Sequence, residues 1–233
     1  MENNQSALPA QQGKRWKILG VEFVYLYLFG IFVAFLGWVG ENIPRAINPA
    51  VATIDSRFHL LPFISPYLLI SFAIHLVIGD PDRLAFFGKP LFKEKTARTC
   101  VLSNLLCYVI LCAGVFLGEL AVGNLWELLF GVQMWNYTGW PLTITQYTSV
   151  VTTFGFGTAA YAIVRFVYKP MMKLIRTKVP FKVAKWICLT LGVAIVLDTV
   201  WMNIHTAIFG AQPVYWSITF KDGVQFSSHV FGK

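Results

Sequence analysis

Apolar stretches about twenty residues long recur five times along this chain, at 18–40, 58–79, 101–122, 144–164 and 186–204, and no other feature limits the possible folds as much. A helix rises about 1.5 Å per residue, so roughly 20 apolar residues cross the ~30 Å of hydrocarbon in a bilayer. The runs follow one another too closely to leave a separate soluble domain. With 56% of its 233 residues apolar and 13% charged, the chain also has too little polar surface to cover a water-exposed globule. The expected fold class is all-α: a polytopic membrane helical bundle of about five transmembrane helices, with the lipid bilayer as its solvent.

The formal charge of +8 is not spread evenly. Lys14, Arg15 and Lys17 precede the first run. Arg83, Lys89, Lys93, Lys95 and Arg98 follow the second, and Arg165, Lys169, Lys173, Arg176, Lys178, Lys182 and Lys185 lie around the junction of the fourth and fifth. The alternate connections hold only Arg45, Arg57, Lys221 and Lys233. This reads as topology and not as a nucleic-acid footprint. By the positive-inside rule the N-terminus is cytoplasmic and the C-terminus extracytoplasmic, which requires an odd number of spans. The expected organisation is a disordered cytoplasmic tail at 1–17, one transmembrane domain at 18–208 and an extracytoplasmic tail at 209–233. The first run is longer than a cleaved signal's core and no A-x-A site follows it, so it is expected to remain as a helix. The four cysteines show no C-x-x-C pair and read as reduced packing residues.

Two connections stand out. The segment GDPDRLAFFGKPLFKEKTAR, with Pro81 and Pro90 as breakers, is expected to hold a short surface helix. The outer loop 123–143 carries Trp126, Trp135, Tyr137 and Trp140, which suits the headgroup level. Within it NLWELLFGVQMW is expected to form an interfacial or re-entrant helix. WNYTGWP should then turn the chain into the fourth span, with Pro141 holding Trp140 extended.

Ionisable groups in a span are costly and each needs a reason. Asp198 lies in the middle of the fifth run, too short to snorkel, with Trp201, Met202 and His205 on its helix face. Two roles are open to it: a substrate or ion site, or a hydrogen bond that fixes helix register. Glu119 lies near the outer end of the third run, eight residues before Glu127, so the two carboxylates share a face if the helix continues. Together they could bind a cation or pass a proton; alternatively Glu127 is solvated and Glu119 reaches the interface. Glu41 closes the first run, ahead of Asn42 and Pro44, which should stop the helix. Glu22 reads as a surface group, and His75 and Asn104 as packing residues. His59 and His229 are loop residues for which the sequence offers no partner. Gly155 and Gly157 permit a close helix approach without forming a G-x-x-x-G pair. The sequence calls for no metal and no cofactor. It holds no phosphate-binding loop and no hydrolase or metalloprotease signature, so an ATP-driven role would need a separate ATPase subunit.

Several of these segments carry a resemblance. FLGWVGE at 35–41, with Trp38 and Glu41, resembles the F-x-G-W-x-x-E that ends the first helix in the CmpB-like family of bacterial membrane proteins, named as ABC transporter permeases of type IV. RFHLLPFISPYLLI is similar to the family's Arg-then-Pro-x-Tyr segment through Arg57, Pro62, Pro66 and Tyr67. ELAVGNLWELLFGVQMWNYTGWPLTI at 119–144 follows the family's Glu-rich helix end, its aromatic turn (here Trp135, Asn136 and Tyr137) and the Pro-Leu step (Pro141) into the next helix. The sequence departs from the family at Thr145-Gln146-Tyr147-Thr148-Ser149, where the family's Arg is missing, and it lacks the Cys of the proline segment. The resemblance implies a permease-like or accessory transport protein with an ATPase or other membrane partner. Two further classes stay open: a membrane-embedded enzyme on lipid or isoprenoid substrates using Glu119, Glu127 and Asp198, and an interaction protein whose polar groups only pair helices.

Overall fold

The computed structural model describes residues 15–47, 53–55, 59–219 and 223–226, with side chains over 15–42 and 59–215. Arg57, His229 and the first fourteen residues lie outside this range. Six helices carry the fold: α1 (Phe23–Ile47), α2 (Ser65–Val77), α3 (Ala97–Phe130), α4 (Val150–Ala162), α5 (Lys169–Lys178) and α6 (Phe181–Phe209). A π-helical stretch, Ile163–Tyr168, joins α4 to α5, so that Val150–Lys178 forms a single rod. Four helices are long and apolar enough to cross a membrane, Phe23–Asn42 of α1, α3, the Val150–Lys178 rod and α6; α2 is a shorter apolar helix. The all-α polytopic bundle is thus the architecture: among the described residues four helices are long enough to span, and a further apolar helix, α2, is broken off short of that length.

That break corrects the second expected span, 58–79. Pro62 disfavours helical geometry in Leu61, Ile64 is extended as the N-cap, and Pro66 sits in the first turn where no N–H is needed, so the helix starts only at Ser65. Its thirteen residues rise only about 20 Å. The other expected ends shift for equally local reasons. Lys17–Ile18 and Val21–Glu22 form a hairpin ahead of α1. The fourth span begins at Val150 and not at 144, because Ser149 and Thr152 form a capping box there. Pro44 does not stop α1, which continues to Ile47 at the expense of one backbone hydrogen bond.

The separate interfacial or re-entrant helix expected in 123–143 is absent: residues 123–130 are the last two turns of α3, which ends on left-handed Gly131. The surface helix expected after the second span is a small β-meander, Gly79–Asp80, Arg83–Phe86 and Lys89–Pro90, turned at Phe87 and Gly88. Strands Trp216–Thr219 and Gly223–Phe226 pair with each other, and the first pairs with Thr53–Asp55 beyond α1.

Packing fixes the helix order. Tyr25, Leu26, Phe29 and Val33 of α1 pack with Tyr168, Met172, Ile175 and Ala184. Ile31 and Ala34 meet Leu68 of α2 and Ile195 of α6. Ile74, Ile78 and Leu84 meet Cys107, Leu111 and Val164. Two helices come closest where side chains are smallest: at Gly157 a Cβ would collide with Cys112 of α3. Val109, Leu117 and Leu128 of α3 and Val193, Val196 and Leu197 of α6 remain exposed, as faces turned to lipid would.

Candidate functional site

Glu41 and Glu119 are brought into one neighbourhood by the break in the second pass. Pro66 starts α2, which puts Tyr67 in its first turn against Gly37 of α1, where a Cβ would run into the phenol ring. From there the Tyr67 hydroxyl donates to Glu41 Oε1 at 3.0 Å. On α3, Glu119 accepts from the Tyr137 hydroxyl at 3.2 Å and from Thr152 Oγ1 of α4 at 3.4 Å. The two halves are in electrostatic reach of one another, Glu41 of Glu119 and both carboxylates of Tyr67 and Tyr137. Trp140 stacks edge-on against Tyr137 at 5.5 Å. Trp38, one turn before Glu41, stacks on Phe35 and lends its carbonyl to Asn42.

The loop 133–149 folds back along α3 and is held from many points. Glu127 is half-buried and well partnered: it accepts from Tyr147 at 2.5 Å, Gln146 at 3.0 Å and Gln133 at 3.3 Å. The Tyr147 ring lies on Gly123 where no Cβ fits, and burial pushes its phenol up to about 12, so it stays a neutral donor. Trp135 Nε1 donates to the Tyr147 carbonyl at 3.0 Å, Asn136 accepts the Thr138 N–H at 2.7 Å, and Thr143 Oγ1 donates to the carbonyls of Tyr137 and Trp140. Pro141 and Leu142, the latter at φ 54°, complete the turn ahead of Val150. WNYTGWP is therefore a fixed turn, and its aromatic residues face inward more than a headgroup belt requires: Tyr137 and Trp135 are half-buried and only Trp140 is exposed.

Asp198 keeps different company. Its two oxygens accept the backbone N–H groups of Leu60 and Leu61, each at 2.9 Å, and His59 Nδ1 lies 3.6 Å from Oδ2. His59, a loop residue with no partner evident from sequence, is buried there. None of the hydrogen bonds described for Asp198 joins it to Glu41 or Glu119. The carboxylate instead supplies the acceptors for non-helical backbone at the broken pass.

Sequence reasoning overlooked the opposite end of the bundle. Asp82 accepts from Arg165 Nη1 at 2.6 Å and from Asn104 at 3.0 Å, Tyr161 donates to Asn104, and Lys169 lies 2.8 Å from Asp80. The hydrogen bond from Arg165 holds the Asp82 carboxyl below its usual range. His75 is a satisfied packing residue, at 2.6 Å from the Tyr168 hydroxyl and 2.9 Å from the Ile18 carbonyl. Glu22, read as a surface group, is buried 3.4 Å from Arg176. The acid-rich GDPD and the mid-helix Arg165 were the available signals.

With four apolar helices long enough to span and the shorter α2 beside Glu41, comparison with known families is decisive. Residues 27–203 match the family described as "Putative ABC-transporter type IV". The chain belongs to that family. No curated protein and no solved structure matches it. Family membership makes it an ABC-transporter-related membrane protein, and the matched range takes in Glu41, Glu119 and Asp198 together with the whole turn from Trp135 to Pro141.

Proposed function

We propose that this protein is a permease-like or accessory component of a membrane transport system, and that Glu41 and Glu119 form its cation- or proton-binding site. The observation that carries this reading is that Glu41 and Glu119, each accepting a tyrosine hydroxyl, lie within electrostatic reach of one another beside the interrupted start of α2. Interrupted spans are where helix-bundle transporters build ion and substrate sites, because non-helical backbone at membrane depth is tolerated only where protein or a water-filled cavity replaces the lost hydration. Tyr67 donates to Glu41, and Tyr137 and Thr152 donate to Glu119, so hydroxyl donors orient both carboxylates as acceptors.

In this reading the Lys- and Arg-rich end is cytoplasmic, and the end carrying Glu41, Glu119 and the 133–149 loop is extracytoplasmic. An ATPase on a separate subunit would drive transport, since the chain has no phosphate-binding loop. The test is reconstitution of the full chain in vesicles with an entrapped pH dye, followed by a panel of inorganic and organic cations outside. A proton or cation signal lost in Glu41→Gln and Glu119→Gln supports the site. A signal that both variants keep removes it.

A further inference from the structure

At the basic end of the bundle two tight turns present an apolar residue where the backbone asks for a different one. The hairpin Lys17–Ile18/Val21–Glu22 turns through Leu19 at φ 45° and Gly20 at φ 82°. The hairpin Arg83–Phe86/Lys89–Pro90 turns through Phe87 at φ 49° and Gly88 at φ 80°. Two-residue turns with both central residues at positive φ prefer Asn or Asp before Gly, because a bulky side chain is strained there. Leu19 and Phe87 bear that strain while exposed, at 46% and 66%, so neither is there to fill a core.

The two tips form one surface. A Cβ on Gly88 would lie 3.3 Å from Leu19. Both hairpins are fastened to the last turn of α2, the first by His75 to the Ile18 carbonyl and the second by the Phe87 N–H to the Leu76 carbonyl at 2.7 Å. Trp16, 72% exposed, stands beside them with its ring on Phe23, the first residue of α1. The tips thus sit where α1 starts and α2 ends, at the level where these passes leave the apolar slab.

Charge around the tips is mainly positive, with Glu94 the exposed acidic residue between Lys93 and Lys95. Lys17 and Lys89, each one or two residues from a tip, are exposed, as are Lys93, Lys95 and Arg98. The other acidic groups nearby are already engaged, Glu22 with Arg176, Asp80 with Lys169 and Asp82 with Arg165. Strained, exposed apolar tips rimmed by lysines match an anionic bilayer surface: acyl chains for the rings and methyls, phosphate for the ammonium groups.

We infer that Leu19, Phe87 and Trp16, with Lys17 and Lys89, form a docking surface for anionic phospholipid in the leaflet at the basic end. This stands apart from the Glu41–Glu119 reading, since it concerns the other end of the molecule and is read without any transport measurement. Strain at the tips is what permits a clean test, because Asn suits both positions better than Leu or Phe.

The experiment purifies the full chain from bilayers of mixed phosphatidylcholine and phosphatidylglycerol and counts retained lipids by native mass spectrometry. Wild-type protein retains phosphatidylglycerol preferentially. Lys17→Gln with Lys89→Gln lowers that preference by about fivefold for each lysine. Leu19→Asn with Phe87→Asn lowers retention at an unchanged or raised thermal midpoint. Unaltered phosphatidylglycerol retention in either pair overturns the proposal, and an Asn pair that fails to fold overturns the strain argument under it. Unchanged lipid retention with loss of a co-purifying soluble subunit would assign the surface to a protein partner instead.

Discussion

Asp198, midway along α6, holds Leu60 in the broken second pass by a 2.9 Å hydrogen bond from the Leu60 N–H, and takes the Leu61 N–H on its other oxygen at the same distance. A carboxylate offers acceptors on both atoms, whereas an amide offers one acceptor and one donor. Asp198→Asn therefore turns an N–H donor toward a second N–H and should cost about 1–3 kcal/mol. Thermal melting of the detergent-solubilised protein should show a lower midpoint in Asn and a larger loss in Leu. An unchanged midpoint in both would mean that the break needs no acceptor.

Asp198 fixes residues 60–61, these precede the start of α2, and that start aims Tyr67 at Glu41 across Gly37. A methyl group at Gly37 or Gly123 would meet the Tyr67 or Tyr147 ring, so Gly37→Ala and Gly123→Ala should each cost about 1–3 kcal/mol. Folded yield by size-exclusion fluorescence reads this out. The corresponding Gly155→Ala, where no atom lies within contact distance, should be silent.

Much of this was legible in advance. The helical membrane class and the broad course of the chain follow from hydropathy alone, and Glu119 stood out as a charge in an apolar run, with Glu41 just past the end of another. From the sequence, Glu119 and Asp198 are expected to share one polar site with Glu41 as a third member; the donors Tyr67 and Tyr137 are not legible there, because the sequence offers these aromatic residues equally as interface anchors. Pro62 and Pro66 were visible, yet their consequence, backbone N–H groups that need an acceptor from another helix, appears only when α6 is packed beside them. Glu127 likewise stayed open between a shared site and a solvated group, because its partners Gln133, Gln146 and Tyr147 come from a loop with no periodicity. The strands at 216–226 carry too short a pattern to separate from tail.

The Asp82–Arg165 pair makes a pH prediction with a definite sign. Its carboxyl pKa is lowered in the folded protein, so the pair's contribution is present above the ordinary carboxylate range and is lost as pH falls through the lowered value. Between about pH 5 and pH 8 the meander at 79–90 should therefore show constant protection in hydrogen exchange. Asp82→Asn should loosen it equally across that window. A wild-type transition near neutral pH would show that another group controls this contact.

Tyr137→Phe removes one donor from Glu119 while leaving the Trp140 ring contact in place. It should cost about 0.5–1.5 kcal/mol and lower activity without loss of folded protein. Trp140→Phe, which keeps an exposed aromatic ring, should alter neither by a comparable amount.

The measurement closest to the central claim compares Glu41→Gln, Glu119→Gln and Asp198→Asn for thermal midpoint and for the growth or uptake phenotype that the protein supports. The account predicts that the two Gln variants stay folded and abundant at a midpoint near wild type and lose activity, whereas Asp198→Asn loses stability first. Normal activity in both Gln variants, at wild-type abundance, would contradict it and leave the carboxylates as helix-pairing groups.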